Sequence, residues 1–576
     1  MKKSFIPVIV AVALACALSL AVFSPKVAAR DGQGFGRFQF VPGTLVLSRS
    51  VYAGTSSTIT VGQTLPPTCV NQTVSVPVIG SSTPAKFKVA CGVASVDGTF
   101  PQVFNNDASD GSFGITSPIF LDNLTTDGFL INTLPIPDNQ IVTSFSSKSE
   151  LALNLSTDGR SLTFGGYVGG PGFVTGPNQF DVSNSNTPGL IDPTNPANGQ
   201  YYRSVAEVEA DGTIRITDGN AYSGDNGRAA AKGGSLYYMA GNDNNGGLKT
   251  AQLTTTTPGL ELIAATGAEL VVPGETPPAP PDGMIGNFSI TSVIDPQTGT
   301  FYAADKPGKD DNFRGLTIFH NTLYVTKGSG GNGINTVYQV GAEGTLPQNT
   351  SSLGSTPITI LPGFPTTLAS PATVNGVTPQ VMFPFGIWFA DDHTLYVCDE
   401  GDGTLVNPPV NGNIADTSEQ QTAGLQKWIK TNGTWNLVYT LQNGLNIGVP
   451  YTVPGYNVGV GPATGGCRNI TGQHNLDGTV TIYAVTSTIS SSGDQGADPN
   501  LLVKITDVPW ATKIPEFEGF KLLKDQSFEH FVTIRKAESG EVLRGVAFAP
   551  TADGFQGRGF PFGGFPFGDS GRDGNH

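Results

Sequence analysis

From Arg314 the sequence reads RGLTIFHNTLYVTKGSGGNGINTVYQV. That is an alternating strand, a short polar turn, a second strand ending Leu-Tyr-Val, a Gly-rich loop and a third strand. The unit recurs. Phe385 opens FGIWFADDHTLYVCDEGDG, followed after an insertion by LQKWIK and WNLVYTL; Arg468 opens RNITGQHNLDGTVTIYAVTS, followed by LLVKITD and HFVTIRK. More degenerate copies start near Arg228 (RAAAKGGSLYYMAGN, then LKTAQL and LELIAA) and near Ser149 (SELALNLSTDGRSLTFGGY, then YYRSVAEVE and TIRITD). Four short period-two strands per unit, separated by turn residues, predict an all-β chain folded as a β-propeller. The 75 Gly and 42 Pro of the 576 residues suit that many turns and exclude long helices from most of the chain.

The repeat closes on itself in the sequence. Its last strand, Arg544 to Pro550 (RGVAFAP), is a lone first strand, and Gly43 to Gly54 (GTLVLSRSVYAG) reads as the missing second strand. One blade is therefore expected to be assembled from both ends, which removes edges that would invite aggregation. With a weak unit near Phe113 (FGITSPIFLDN, then GFLINTLPI), the count is seven blades, and the degenerate copies leave six or eight open. Pro273 to Met284 and Asn407 to Ala423 read as loop excursions, and residues 30–553 as the propeller.

Lys2 and Lys3 precede an apolar run, Phe5 to Phe23, and Val27-Ala28-Ala29 supplies small residues at a cleavage position, so residues 1–29 read as a secretory signal peptide. The run is also long enough for an uncleaved anchor. Residues 554–576 combine Gly, Phe and Pro without a period and are expected to be disordered. A net charge of −15 disfavours nucleic acid and anionic membranes as partners. The expected location is secreted, periplasmic or cell-surface, with an extracellular ligand or protein as partner and no membrane contact once the signal is removed. Outside the signal, Cys69 with Cys91 suggests a local disulfide in an oxidising compartment. Cys398 and Cys467 either pair or remain two buried thiols on neighbouring strands.

The pattern Gly-Ile-x7-Leu-Tyr-Val-x-Asp at Gly386 to Asp399 resembles the NHL-repeat and gluconolactonase-like propellers, and the units at Arg314 and Arg468 resemble it less closely. With DGSFGITSPIFLD near the start and LRGVAFAP near the end, the whole sequence also resembles secreted bacterial propeller proteins, a likeness that implies no particular activity. The broad class implied includes calcium-dependent lactonases, lyases and pure binding modules, so fold alone does not select a function.

The repeat register assigns each candidate residue to a face. First-strand entrances share a face with the loops joining second to third strands; first-to-second turns lie on the other. His320, His393 and His474 fall in or beside those turns, too far apart to share a metal at ~2 Å, and read as turn residues. Arg228, Arg314, Arg468 and Arg544 each stand immediately before an innermost strand, so four guanidinium groups are expected around the channel mouth. Such forks match carboxylate, sulfate or phosphate, which suggests an anionic or carbohydrate-like ligand such as an acidic sugar chain. The competing reading pairs each Arg with a neighbouring carboxylate, from Asp305, Asp310, Asp311, Asp399 or Asp402. Asp399, Glu400 and Asp402, separated by glycines, are candidate calcium ligands or a solvated loop; the full EF-hand spacing is absent. No G-x-S-x-G, H-E-x-x-H or P-loop is present. Three readings follow: a binding module, a calcium-dependent lactonase-like hydrolase or polysaccharide lyase, and a protein-interaction scaffold with the Phe-rich tail as its handle.

Overall fold

A computed structural model describes residues 38–52, 59–65, 69–76, 82–89, 91–103, 105–106, 110–168, 186–187, 200–219, 221–223, 226–242, 260–264, 284–287, 293–294, 312–328, 333–348, 356–403, 422–456, 461–489, 496–514 and 527–554. The signal segment, Asp305, Asp310, Asp311, the insertion at 407–421 and the tail beyond Gly554 lie outside the described residues.

The fold is all-β, with no helix among the described residues. Six sheets carry four strands or more, each led by a first strand that begins one sequence unit. Sheet 1 is built from both ends of the described chain: Glu541–Phe548 is its first strand, followed by Leu45–Val51, Ile119–Leu124 and Leu130–Pro135. Sheet 2 runs Asn154–Leu155, Ser161–Val168, Arg203–Glu209 and Ile214–Gly219, with Ile141–Ser144 and Thr116–Ser117 added beyond. Sheet 3 runs Gly227–Gly233, Leu236–Gly241, Leu260–Ala264 and Met284–Asn287. Sheet 4 runs Phe313–Phe319, Thr322–Lys327, Thr336–Val340 and Ile358–Ile360, with Val293–Ile294 added parallel to the last. Sheet 5 is Pro384–Phe389, Thr394–Asp399, Gly424–Thr431 and Thr434–Leu441. Sheet 6 is Ala463–His474, Val480–Ile489, Leu501–Asp507 and Val532–Lys536.

Burial is greatest in the second strands and falls toward the outermost ones, and this explains the sequence pattern. Second strands such as Thr394–Asp399 and Thr322–Lys327 are buried at every position, because neighbouring sheets cover both faces. Both carry the same apolar centre, Leu-Tyr-Val, whereas the outermost Thr434–Leu441 and Val532–Lys536 are largely exposed or half-buried. First strands of successive sheets lie side by side, from sheet 3 through sheets 4, 5 and 6 to sheet 1. Glu541–Phe548 then meets Asn154–Leu155, which meets Gly227–Gly233. Glycine permits this approach: a Cβ at Gly315 would collide with the Phe385 carbonyl of the next sheet. The core lies between sheets, where Leu323, Val325, Ile358, Leu395, Val397 and Trp428 pack in one cluster. Burying each such side chain contributes about 1.5–3 kcal/mol.

The unit expected near Phe113 forms no sheet of its own. Ile119–Leu124 pairs with Leu45–Val51, so its strands are the third and fourth of sheet 1. An excursion between residues 52 and 116, with short hairpins and a Cys69–Cys91 disulfide, separates them from their partner in sequence and disguises them as a separate unit. LELIAA is the third strand of sheet 3 rather than the fourth, and LKTAQL lies outside the described residues. Cys398 and Cys467 are bonded and tie the second strand of sheet 5 to the first strand of sheet 6.

Candidate functional site

The four sequence-predicted arginines lie inside the first strands rather than before them, Arg228 and Arg314 second in theirs and Arg544 and Arg468 further along, and the fold gathers them at one end. All are buried, at 3–5 % exposure. The chain itself fills the space between them, with residues 145–150, which link Ile141–Ser144 to Asn154–Leu155. Arg228 and Arg314 each donate from Nη1 to the Ser149 hydroxyl. Arg544 donates to the carbonyls of Phe145 and Ser147, to Gly496 O at 3.1 Å and to Ser50 Oγ at 3.1 Å. Arg468 Nε bonds Glu400 Oε2 at 3.0 Å, and Lys148 of the filling segment reaches the other oxygen at 3.2 Å. Phe145 is capped by Phe100 of the excursion, with ring centroids 6.3 Å apart.

The electrostatics follow from this packing. Burial pushes the Glu400 carboxyl up, but Lys148, Arg468 and Arg314 overcome it and hold the pKa at about 2. Burial lowers the Lys148 ammonium, Arg468 and Arg314 push the same way, and Glu400 opposes them. Water still reaches Lys148, whose side chain is 32 % exposed. Glu150, at the end of the segment, is raised by burial even though Tyr167, Thr143 and the Ser144 N–H all donate to it.

The candidate calcium ligands do not converge. Asp399 is buried and accepts from Phe383 N (2.9 Å), Gly401 N (2.9 Å) and Gln426 Nε2 (3.0 Å), while burial raises its pKa to about 6. Glu400 turns to Arg468 and Lys148, and Asp402 is exposed. Among the described residues no three His, Cys, Asp or Glu side chains form a metal-holding group. His320 instead pairs with Asp392 at 2.8 Å, and His474 Nε2 lies 2.6 Å from Ala390 O.

At the opposite ends of the first strands lies a cavity of about 520 Å³, lined by residues from the first strands of all six sheets. Its apolar wall includes Ile318, Phe319, Trp388 and Phe548. Phe319 stacks on Phe389 of the next sheet, 4.7 Å between centroids and 6° from parallel. A Cβ at Gly472 would fall 2.7 Å from the Trp388 indole, so this glycine makes room for the ring. Thr317, Thr471 and Gln473 supply polar groups that make no side-chain hydrogen bond among the described residues. The described lining contains no Asp, Glu, Lys or Arg.

No family model matches this chain, and no curated protein does. Among solved structures it is similar to the parainfluenza virus 5 hemagglutinin-neuraminidase ectodomain, at 9 % identity and a TM-score of 0.29, covering 77 % of this chain and 86 % of that one. A likeness this distant carries no argument about ligand or chemistry.

The arginine register was legible in the sequence, but the carboxylate that Arg468 meets is Glu400 rather than Asp399 or Asp402, and the filling segment was not foreseen. Ser147, Lys148 and Ser149 resemble any polar turn. The cavity residues were also hidden, because Thr317, Thr471 and Gln473 look like ordinary half-buried strand positions. Their place near the same ends of the first strands of sheets 4 and 6 is the signal that singles them out.

Proposed function

We propose that this chain is a secreted six-bladed β-propeller acting as a binding module, and that an uncharged, carbohydrate-like ligand enters the end of its channel opposite the arginines. The closed succession of six first strands supports the architecture, and two disulfides suit an oxidising compartment. No helix among the described residues is long and apolar enough to cross a membrane. The observation that carries the ligand reading is the cavity: unused hydroxyl and amide groups beside aromatic and aliphatic surface, with no formal charge in its described lining. That combination suits a ligand with alternating hydroxyl and C–H faces. The anionic reading has less support, because the buried arginines already donate to Ser149, Glu400 and main-chain carbonyls.

Hydrolysis or lyase chemistry requires an acid/base pair or a metal beside the ligand. His474 is the one titratable side chain in the described lining, and its Nε2 is engaged with Ala390 O. Binding is therefore the better reading. Titration of neutral and uronic-acid oligosaccharides, followed by thermal shift and by Trp388 fluorescence, tests it. Neutral sugars should raise the unfolding midpoint of the wild type, and less so that of Gln473→Ala with Thr471→Val. Preference for the acidic sugars, or an identical response from the double variant, would sink the proposal.

A further inference from the structure

We infer that Trp510 is an outer subsite for the same ligand, so that the module recognises the end of a neutral oligosaccharide chain rather than a single ring. This rests on the channel-end reading above. Trp510 is 65 % exposed, unlike Trp428 and Trp435, which are buried, and Trp388, which lines the cavity. An indole left in water contributes little to folding, and its large flat face is suited to an interface.

Two hydrogen-bonded turns connect this indole to residues of the cavity lining. His474 lines the cavity and leads into the turn 475–478, where Asn475 N bonds Thr479 O at 2.8 Å and the Asn475 amide holds Thr479 and Thr481. Gly478 ends that turn with φ +87°, and a Cβ there would lie 3.1 Å from the indole edge. Four residues reach at most about 14 Å even when extended, so the indole stands within a short chain's length of the cavity. The second connection starts at Ala390, also in the lining; Thr394, at the end of its turn, donates to Pro509 O at 3.2 Å. Ala511 N bonds Val508 O at 3.0 Å and closes the tight turn that presents the ring. Leu476, 91 % exposed, extends the apolar surface at the tip of the first turn. A ligand leaving the cavity past His474 meets this preorganised face, and preorganisation reduces the entropic cost of binding.

The test uses neutral β-glucan, α-glucan, xylan and mannan oligosaccharides, each as disaccharide and hexasaccharide. Calorimetric titration compares wild type, Trp510→Ala and Gln473→Ala. The expected result is that Trp510→Ala leaves disaccharide affinity unchanged and weakens the hexasaccharide on the order of tenfold, while Gln473→Ala weakens both. Wild-type disaccharide binding with an unaltered hexasaccharide affinity in Trp510→Ala would overturn the subsite and leave the channel reading standing. Absence of any sugar binding by wild type would overturn both. Loss of binding to phosphatidylcholine vesicles in Trp510→Ala, with sugar affinities unchanged, would make the indole a membrane contact and equally overturn the subsite.

Discussion

The two ends of the first strands are built from the same repeat and solve opposite problems. At the arginine end, four buried guanidinium groups stand close together, and the chain supplies its own acceptors by folding residues 145–150 between them. At the other end no charge lines the cavity in the described residues, nothing in the fold requires a plug, and polar side chains remain without a bond. The difference teaches that concentrated buried charge marks a place where a protein must satisfy itself. A binding surface for a neutral ligand is better sought where polar groups can stay unbonded without penalty.

The largest effect expected from breaking this contrast is at Arg544. Arg544→Ala strands the Phe145, Ser147 and Gly496 carbonyls and, at about 1–3 kcal/mol for each buried acceptor left unsatisfied, should cost at least about 3 kcal/mol of stability in urea unfolding. Arg544→Lys should recover only part, since an ammonium cannot reproduce the fork. A loss below about 1 kcal/mol would mean that the arginines do not hold the segment.

Next comes the Cys398–Cys467 bridge, whose cysteines immediately precede Asp399-Glu400 and Arg468. It spans 69 residues against 22 for Cys69–Cys91. Its replacement by serines should cost about 4 kcal/mol, and replacement of the shorter bridge about 3 kcal/mol. A reversed order in calorimetry would indicate that strain or residual structure dominates.

A pH-dependent effect belongs to the seam between sheets 5 and 6. Lys427 pairs there with Asp507 at 2.9 Å, both side chains fully buried, and Tyr439 OH donates to the same carboxylate at 2.8 Å. Burial, and then its neighbour Asp507, raise the Glu529 carboxyl well above the usual carboxylate range, with Lys427 opposing. Its folded pKa lies above the unfolded value near ~4.3, so the folded state binds the extra proton. That stability is complete below pH ~4.3 and is lost as pH rises from there toward the raised folded value, at no more than about 1.4 kcal/mol per pH unit. Glu529→Gln should flatten the profile, and an unchanged slope would remove Glu529 as its source. The smallest effect is at the open end: Gln473→Ala should change stability by less than about 0.5 kcal/mol, which separates binding from folding there.

Much of the fold was legible because second strands are covered on both faces. TLYVTK, TLYVCD and VTIYAVTSTI are buried through almost their whole length, and such runs stand out in a chain with few charges. The pairing of RGVAFAP with GTLVLSRSVYAG was legible for the same reason, one strand lacking a partner at each end. The place of the strands near Phe113 was not, because the excursion after Val51 puts Ile119–Leu124 far in sequence from the strand it pairs with. At the site, repetition revealed where the arginines stand but not what they touch. Main-chain carbonyls leave no trace in side-chain chemistry, and Ser149 is one serine among many in a Ser-rich chain. Asp399 misled for a related reason: an acidic loop and a buried acceptor of backbone N–H groups have the same residue type.

Pairing Glu541–Phe548 with Leu45–Val51 also sets a clock. Sheet 1 has its second, third and fourth strands as soon as Pro135 has been made, yet its innermost strand is translated some four hundred residues later. At about 5–20 residues per second, that interval lasts roughly 20–80 s. Throughout it, the inner edge of Leu45–Val51 stands unpaired, so any chain that stops before Glu541 keeps a sticky strand and is marked as unfinished for chaperones and proteases.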